Sequence, residues 1–138
     1  AESIDNLEML ETDLRTMLQI DPNNSQALNA LGYTLTDRTD RHEEALELIN
    51  KALELRPNDP YYLDSLGWVY YRMGDLEKAE YYLREAVAIQ ADVEFLAHLG
   101  EVLWVQNKKS EARKYWSEAS KLDAENKVLQ ETLQRLTK

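Results

Sequence analysis

The stretch Leu63–Ala86, LDSLGWVYYRMGDLEKAEYYLREA, decides how the chain folds. Gly67 stands inside a segment of otherwise helical spacing, where glycine is less favourable than alanine by about 1 kcal/mol. Gly74 follows seven residues later, and Ala79 and Ala86 are again seven apart. Small side chains at such fixed intervals imply that another part of the chain approaches closely on that side.

The arrangement recurs on both flanks. ALNALGYTL (27–35), YLDSLGWVY (62–70) and FLAHLGEVL (95–103) share Leu-x-x-Leu-Gly-x-x followed by Leu or Tyr. Each is followed by a second block: EALELINKALEL, KAEYYLREAVAI and EARKYWSEASKL. Gly32, Gly67 and Gly100 are spaced by 35 and 33 residues; Ala45, Ala79 and Ala112, like Ala52, Ala86 and Ala119, by 34 and 33. This resembles the tetratricopeptide repeat (TPR), a helix–turn–helix unit of about 34 residues. The resemblance implies an all-α fold, an α-α superhelix of antiparallel helix pairs A and B closed by a C-terminal capping helix. The units run 25–59, 60–92 and 93–125. Residues 1–24 are expected to supply the second helix of a preceding unit, and 126–138 the cap. Pro22 and Pro57 lie in the turns between units, where Ala91 and Ala124 stand elsewhere.

In that register Gly67 and Ala79 lie where helices A and B of one unit cross, and Ala86 faces helix A of the next. Gly74 ends helix A in the left-handed conformation, and Asn107 takes the matching place in the third unit. The stripe Leu28, Leu31, Leu35, Leu63, Leu66, Tyr70, Leu83, Leu96, Leu99, Leu103 and Trp116 falls on buried faces. Helices are expected near 6–20, 24–37, 41–55, 60–73, 76–89, 93–106, 109–121 and 126–137. The first unit carries one extra residue in its A–B turn, TDRTDRHEEA, the place for a local departure. Because an unpaired B helix would leave its apolar face bare, the chain is expected to be the C-terminal piece of a longer repeat protein, with any signal or anchor upstream.

Composition agrees with helices and narrows function. Among 138 residues there are 4 Gly, 3 Pro and no Cys, and the formal charge is −10. So acidic a surface repels phosphate backbones and anionic headgroups, which argues against nucleic acid and lipid as partners. Without cysteine there are no disulfides, thiolate metal sites or thiol nucleophiles. No apolar run approaches the roughly 20 residues that span a bilayer, and AESIDNLEML has neither a basic nor an apolar leader region.

Motifs for phosphate binding, zinc hydrolysis, serine esterases and calcium loops are all missing, and no cofactor is implied. His42 sits in a polar turn and is expected at the surface. Glu94, His98 and Glu101 share one helix face at i, i+4 and i+7, a conceivable metal-dependent hydrolase centre; a polar groove lining accounts for them better, because nothing supplies a fourth ligand.

In TPR proteins the second, fifth, ninth, twelfth and thirteenth positions of each unit line the concave face. They correspond to Gln26, Asn29, Tyr33, Thr36 and Asp37; to Tyr61, Asp64, Trp68, Tyr71 and Arg72; and to Glu94, Ala97, Glu101, Trp104 and Val105, with His98 adjacent. Five of these are aromatic: Tyr33, Tyr61, Trp68, Tyr71 and Trp104. Exposed rings in a concave surface suggest a partner-binding groove, with Trp68 and Trp104 as anchors. The basic clamp of chaperone-tail-binding TPR domains is missing at Asn29/Tyr33, Asp64/Trp68 and Ala97/Glu101. Asp37, Asp64, Glu94 and Glu101 would favour an apolar or mildly basic extended segment.

The wording LNALGYTLTDRTDRHEEALELI, LDSLGWVYYRMGDLEKA and HLGEVLW is narrower than the general repeat. It resembles the C-terminal part of proteobacterial outer-membrane TPR lipoproteins, adaptors of which at least one type partners a periplasmic carboxyl-terminal processing protease. That resemblance implies a non-enzymatic scaffold binding a protein or extended peptide on the periplasmic side, with a cytoplasmic location as the alternative. The other reading of the chain is self-association, including a homodimer through the N-terminal edge.

Overall fold

The structure, a computed structural model, describes residues 4–138; residues 1–3, the start of the 1–24 segment, lie outside it. Among the described residues the chain forms helices only: α1 (Ile4–Ile20), α2 (Ser25–Arg38), α3 (His42–Leu55), α4 (Pro60–Arg72), α5 (Leu76–Ile89), α6 (Val93–Val105), α7 (Lys109–Asp123) and α8 (Lys127–Leu136). α2/α3, α4/α5 and α6/α7 pair as helices A and B of successive units, and each pair stacks on the next.

Local chemistry sets the ends. The side chains of Asn24, Asp59, Asp92 and Asn126 accept backbone N–H groups in the first turns of α2, α4, α6 and α8, relieving donors that a helix start leaves unpaired. These caps are 35, 33 and 34 residues apart. α8 therefore begins where helix A of a further unit would. Gly74 (φ 90°) and Asn107 (φ 66°) are left-handed. The Gly74 N–H donates to the Tyr71 carbonyl and the Asp75 N–H to that of Tyr70, and Asn107 and Lys108 repeat the pattern on Trp104 and Leu103, a Schellman closure in both units. The first unit departs where its extra residue predicts: Thr39 is extended, its hydroxyl donates to the Leu35 carbonyl, and the Arg41 N–H donates back to that hydroxyl oxygen.

The crossings explain the small residues. A Cβ on Gly67 would lie 2.8 Å from Leu83 Cγ, one on Gly32 2.6 Å from Ile49 Cγ1, and one on Gly100 2.2 Å from Trp116 Nε1. Ala86 is buried with Leu63 and with Phe95 of the following unit, and Ala52 likewise with Leu28 and Tyr62. Tyr70, expected in the buried stripe, is only half-buried: its ring stacks on Tyr82 with Lys78 above it. Its partly covered ring still packs against the clusters of the units on either side.

His42 is also corrected. It starts α3 but is partly covered, and its Nδ1 lies 2.7 Å from the hydroxyl of fully buried Thr36. Burial, aided by the Arg72 charge, lowers its pKa. α1 packs on α2 through Leu14, which is buried, while Met9, Met17 and Ile20 are exposed. Between B helices run ion pairs, Arg15–Glu44 and Arg84–Glu111, both 2.7 Å; half-exposed pairs of this kind are each worth under about 1 kcal/mol.

Candidate functional site

Helix A side chains of all three units, together with α8, enclose a cleft of about 440 Å³ lined by Tyr33, Asp37, Trp68, Tyr71, Arg72, His98, Glu101, Val128, Glu131, Thr132 and Arg135. A second hollow of about 230 Å³ lies toward the starts of the A helices. It is lined by Asn29, Tyr33, Tyr61, Asp64, Ser65, Asp92, Glu94, Phe95 and His98. Tyr33 and His98 border both. The repeat brings these residues together because positions one unit apart on successive A helices become neighbours in space.

The floor of this face is a polar network built on charged groups. His98 is 3% exposed; its Nδ1 is 2.9 Å from Asp64 Oδ1, and its ring stacks on Trp68 at 4.1 Å between centroids. Burial opposes the imidazolium, but the Asp64 carboxylate, with Glu101 and Glu94 beyond, outweighs it and raises the pKa. Trp68 Nε1–H donates to Asp37 Oδ1 at 3.2 Å, and Arg72 Nη1 donates to the Asp37 carbonyl at 3.0 Å. Tyr71 donates to Glu101 Oε2 at 2.7 Å. Burial, and then the bond to Glu101, pushes the Tyr71 phenol up; burial, and then the Asp37 and Asp64 charges, does so for Tyr33. Both phenols therefore stay neutral donors at any physiological pH.

Several sequence expectations change here. Trp68, expected as an exposed anchor, is only 6% exposed, and Asp64, His98 and Glu101 are buried as well. Neighbouring A helices lie close enough that each covers its neighbour's central groove positions. Ala97 and Thr36 are buried too. Trp104 lines neither hollow: it turns toward α7, 5.3 Å from the Trp116 ring, with Lys109 and Arg113 over its face. Of the groove rings that line the hollows, Tyr33 and Tyr71 are half-buried and Tyr61 is exposed; Trp104 is half-buried outside them. Tyr61 is 49% exposed, meets Phe95 edge-on and accepts a hydrogen bond from Gln90.

Glu94, His98 and Glu101 do not converge. Glu94 accepts from Asn126, His98 pairs with Asp64, and Glu101 is held by Tyr71 and Arg135. Among the described residues no group of three or more acidic, histidine or cysteine side chains is placed to hold a metal ion.

Counting helix A positions misses the contribution of α8: Val128, Glu131, Thr132 and Arg135 close one end of the cleft. The cap spacing that ends at Asn126 is the signal that places α8 in the helix A series. Asn29 adds a buried side-chain oxygen, Oδ1, that has no hydrogen-bond partner. It belongs to the second hollow, and a buried acceptor without a donor is uncommon in folded proteins.

Comparison with known proteins agrees with the architecture. Residues 24–92 and 65–127 match family models described as tetratricopeptide repeat. The chain is 54% identical over 101 residues to the TPR repeat-containing protein PA4667 of Pseudomonas aeruginosa, covering 73% of this chain and 17% of that protein. It is 37% identical over 81 residues to bacteriophage adsorption protein A of Escherichia coli, covering 57% of this chain and 8% of that protein. The chain thus spans less than a fifth of the length of either relative. Among solved structures, the thermophilic TPR protein TTC0263 of Thermus thermophilus superposes with a TM-score of 0.79 at 19% identity, covering 96% and 75% of the two chains. The first TPR domain of Spaghetti (RPAP3), bound to the HSP90 peptide SRMEEVD, gives 0.71 at 19% identity, covering 82% and 92%. At such identities the structural likeness concerns the fold alone. From the repeat period, the stacked helix pairs and the family match, the chain belongs to the tetratricopeptide repeat family.

Proposed function

We propose that the chain is a non-enzymatic interaction scaffold whose concave face receives an extended segment of a partner protein. The observation that supports this most strongly is the pair of adjoining hollows, bordered by Tyr33 and His98 and carrying the Tyr61 and Tyr71 phenols. Tyrosine rings give large contact area with little loss of side-chain freedom. The buried His98–Asp64 and Glu101 pairs hold this wall rigid, which lowers the ordering cost of binding.

The finer reading is that the chain serves within a longer outer-membrane lipoprotein that assists a periplasmic carboxyl-terminal processing protease, with the protease or its substrates as partner. Its support is the resemblance carried by LNALGYTLTDRTDRHEEALELI and the 54% identity to a P. aeruginosa TPR protein of which this chain covers 17%. No helix among the described residues is long and apolar enough to cross a membrane, so attachment would fall to another part of such a parent.

The test is capture of partners from native envelope by the full-length parent, compared with a parent carrying Tyr33→Arg and Tyr61→Arg. Loss of the captured protein and of its proteolytic activity is expected; equal recovery overturns the groove reading. Self-association is the second reading, favoured by the exposed Met9, Met17 and Ile20 of α1. Light scattering across protein concentration decides it: a mass independent of concentration at one protomer rejects it.

A further inference from the structure

Arg135 and Glu101 differ sharply in how each is held. Glu101 lies on α6 with its side chain 4% exposed, whereas Arg135, near the end of the terminal helix α8, is 49% exposed. The guanidinium straddles the carboxylate, Nη2 to Oε1 at 2.8 Å and Nη1 to Oε2 at 3.1 Å, and the Tyr71 hydroxyl completes the set on Oε2. A planar fork of two N–H groups is the best geometric match for a carboxylate. Removing it from the buried side would leave an uncompensated charge, which is strongly destabilising. The guanidinium itself, being half in water, loses little by leaving. A group that replaces Arg135 therefore has to present the same fork.

The surroundings suit such a group. The Tyr71 and Trp68 rings, 4.8 Å apart, stand beside it. With Arg135 withdrawn, the cleft keeps the carboxylates of Asp37, Glu101 and Glu131 against Arg72, which is turned to the Asp37 carbonyl, and His98, which is paired with Asp64. The remaining field is negative and attracts a cation.

We propose that the α8 end of the concave face is an arginine subsite, occupied in the free protein by the chain's own Arg135, and that an extended partner segment seats an arginine side chain on Glu101 in its place. This rests on the groove reading above and adds to it the residue type recognised and an internal competitor that sets the affinity. Lysine, with a point charge and no fork, fits less well.

The probe is a dye-labelled heptapeptide, Gly-Ser-Gly-Arg-Gly-Ser-Gly, blocked at both ends, with counterparts carrying citrulline or lysine at the centre. Binding is followed by fluorescence anisotropy and by the Trp68 indole NMR signal, with each variant checked for helicity. Arg135→Ala is expected to bind the arginine peptide about tenfold more tightly than the native chain. Arg135→Lys, which keeps a cation beside Glu101, is expected to show a smaller gain. The citrulline peptide should gain nothing, and adding Glu101→Gln to Arg135→Ala should erase the gain. Equal affinity of the arginine peptide for native chain and both Arg135 variants, an equal gain for citrulline, or no binding to any of them overturns the subsite. None of these results bears on the groove reading, which fails instead if capture by the parent survives the Tyr33 and Tyr61 replacements.

Discussion

Three glycines illustrate two separate physical demands. Gly67 and Gly100 are needed for space: a Cβ would sit 2.8 Å from Leu83 Cγ and 2.2 Å from Trp116 Nε1. Gly67→Leu is expected to destabilise the chain by roughly 1–3 kcal/mol through overpacking, read as a lower urea midpoint. Gly100→Ala should also disturb the bond from Trp116 Nε1 to the Ala97 carbonyl, 3.2 Å long. Gly74 has a φ of 90°, and a Cβ added to it would meet nothing within 4 Å, so the cost of Gly74→Ala is the local strain of a Cβ in the left-handed conformation, about 1–2 kcal/mol. At the same scale, His98 makes stability depend on pH. Its folded pKa is raised above the usual value by Asp64 in spite of burial. The contribution is fully present below the unfolded value of about 6.5 and is lost as pH rises through the folded value. The stability difference between the native chain and His98→Gln should therefore shrink as pH rises above the unfolded value of about 6.5 in denaturant titrations. A difference that grows with pH contradicts the pairing.

Among the elements, α8 is the most informative. It begins one repeat period after the cap of α6, under Asn126, yet no helix B follows it among the described residues. Leu129 is fully buried in the cluster of Leu96, Leu99 and Trp116. Leu129→Ala is expected to lower stability by about 2–5 kcal/mol and to release the Arg135 contact with it, so that the Trp68 indole signal shifts along with the melting temperature. The A–B turns behave as elements too. Asn107 is left-handed at φ 66°, a conformation glycine adopts without penalty. Asn107→Gly is expected to change stability by less than about 1 kcal/mol, whereas a β-branched residue there would clash.

For the whole molecule, charge and curvature act together. The chain carries −10 overall, and its cleft exposes Asp37 and Glu131 beside the Glu101 pair. Association with a basic partner segment should weaken as salt rises from about 0.05 M to about 0.5 M, since screening shortens the range of the field to a few ångströms. Affinity that is flat across that range would point to ring contacts alone. The helices, their boundaries to within about two residues, the crossing glycines and the irregular first turn were all legible in the sequence, because period and turn chemistry act locally. The site was legible only in part. Tyr33, Asp37, Tyr61, Tyr71 and Arg72 line the hollows as their positions imply. Trp68 is covered, and Trp104, though half-exposed, lies against α7 outside both hollows, since the place of a ring depends on how the neighbouring helices pack around it.

What the chain determines by itself is therefore periodic: small residues every 33–35 positions compel close crossings, and capping residues at the same step start each helix. These follow from sterics and hydrogen bonding within a few residues. Tertiary structure alone decides that His98 finds Asp64, that Trp68 lies beneath the surface, and that Arg135 reaches Glu101 across 34 residues of sequence. Such pairings depend on the tilt between stacked units, a sum of many packing contacts that no single segment encodes.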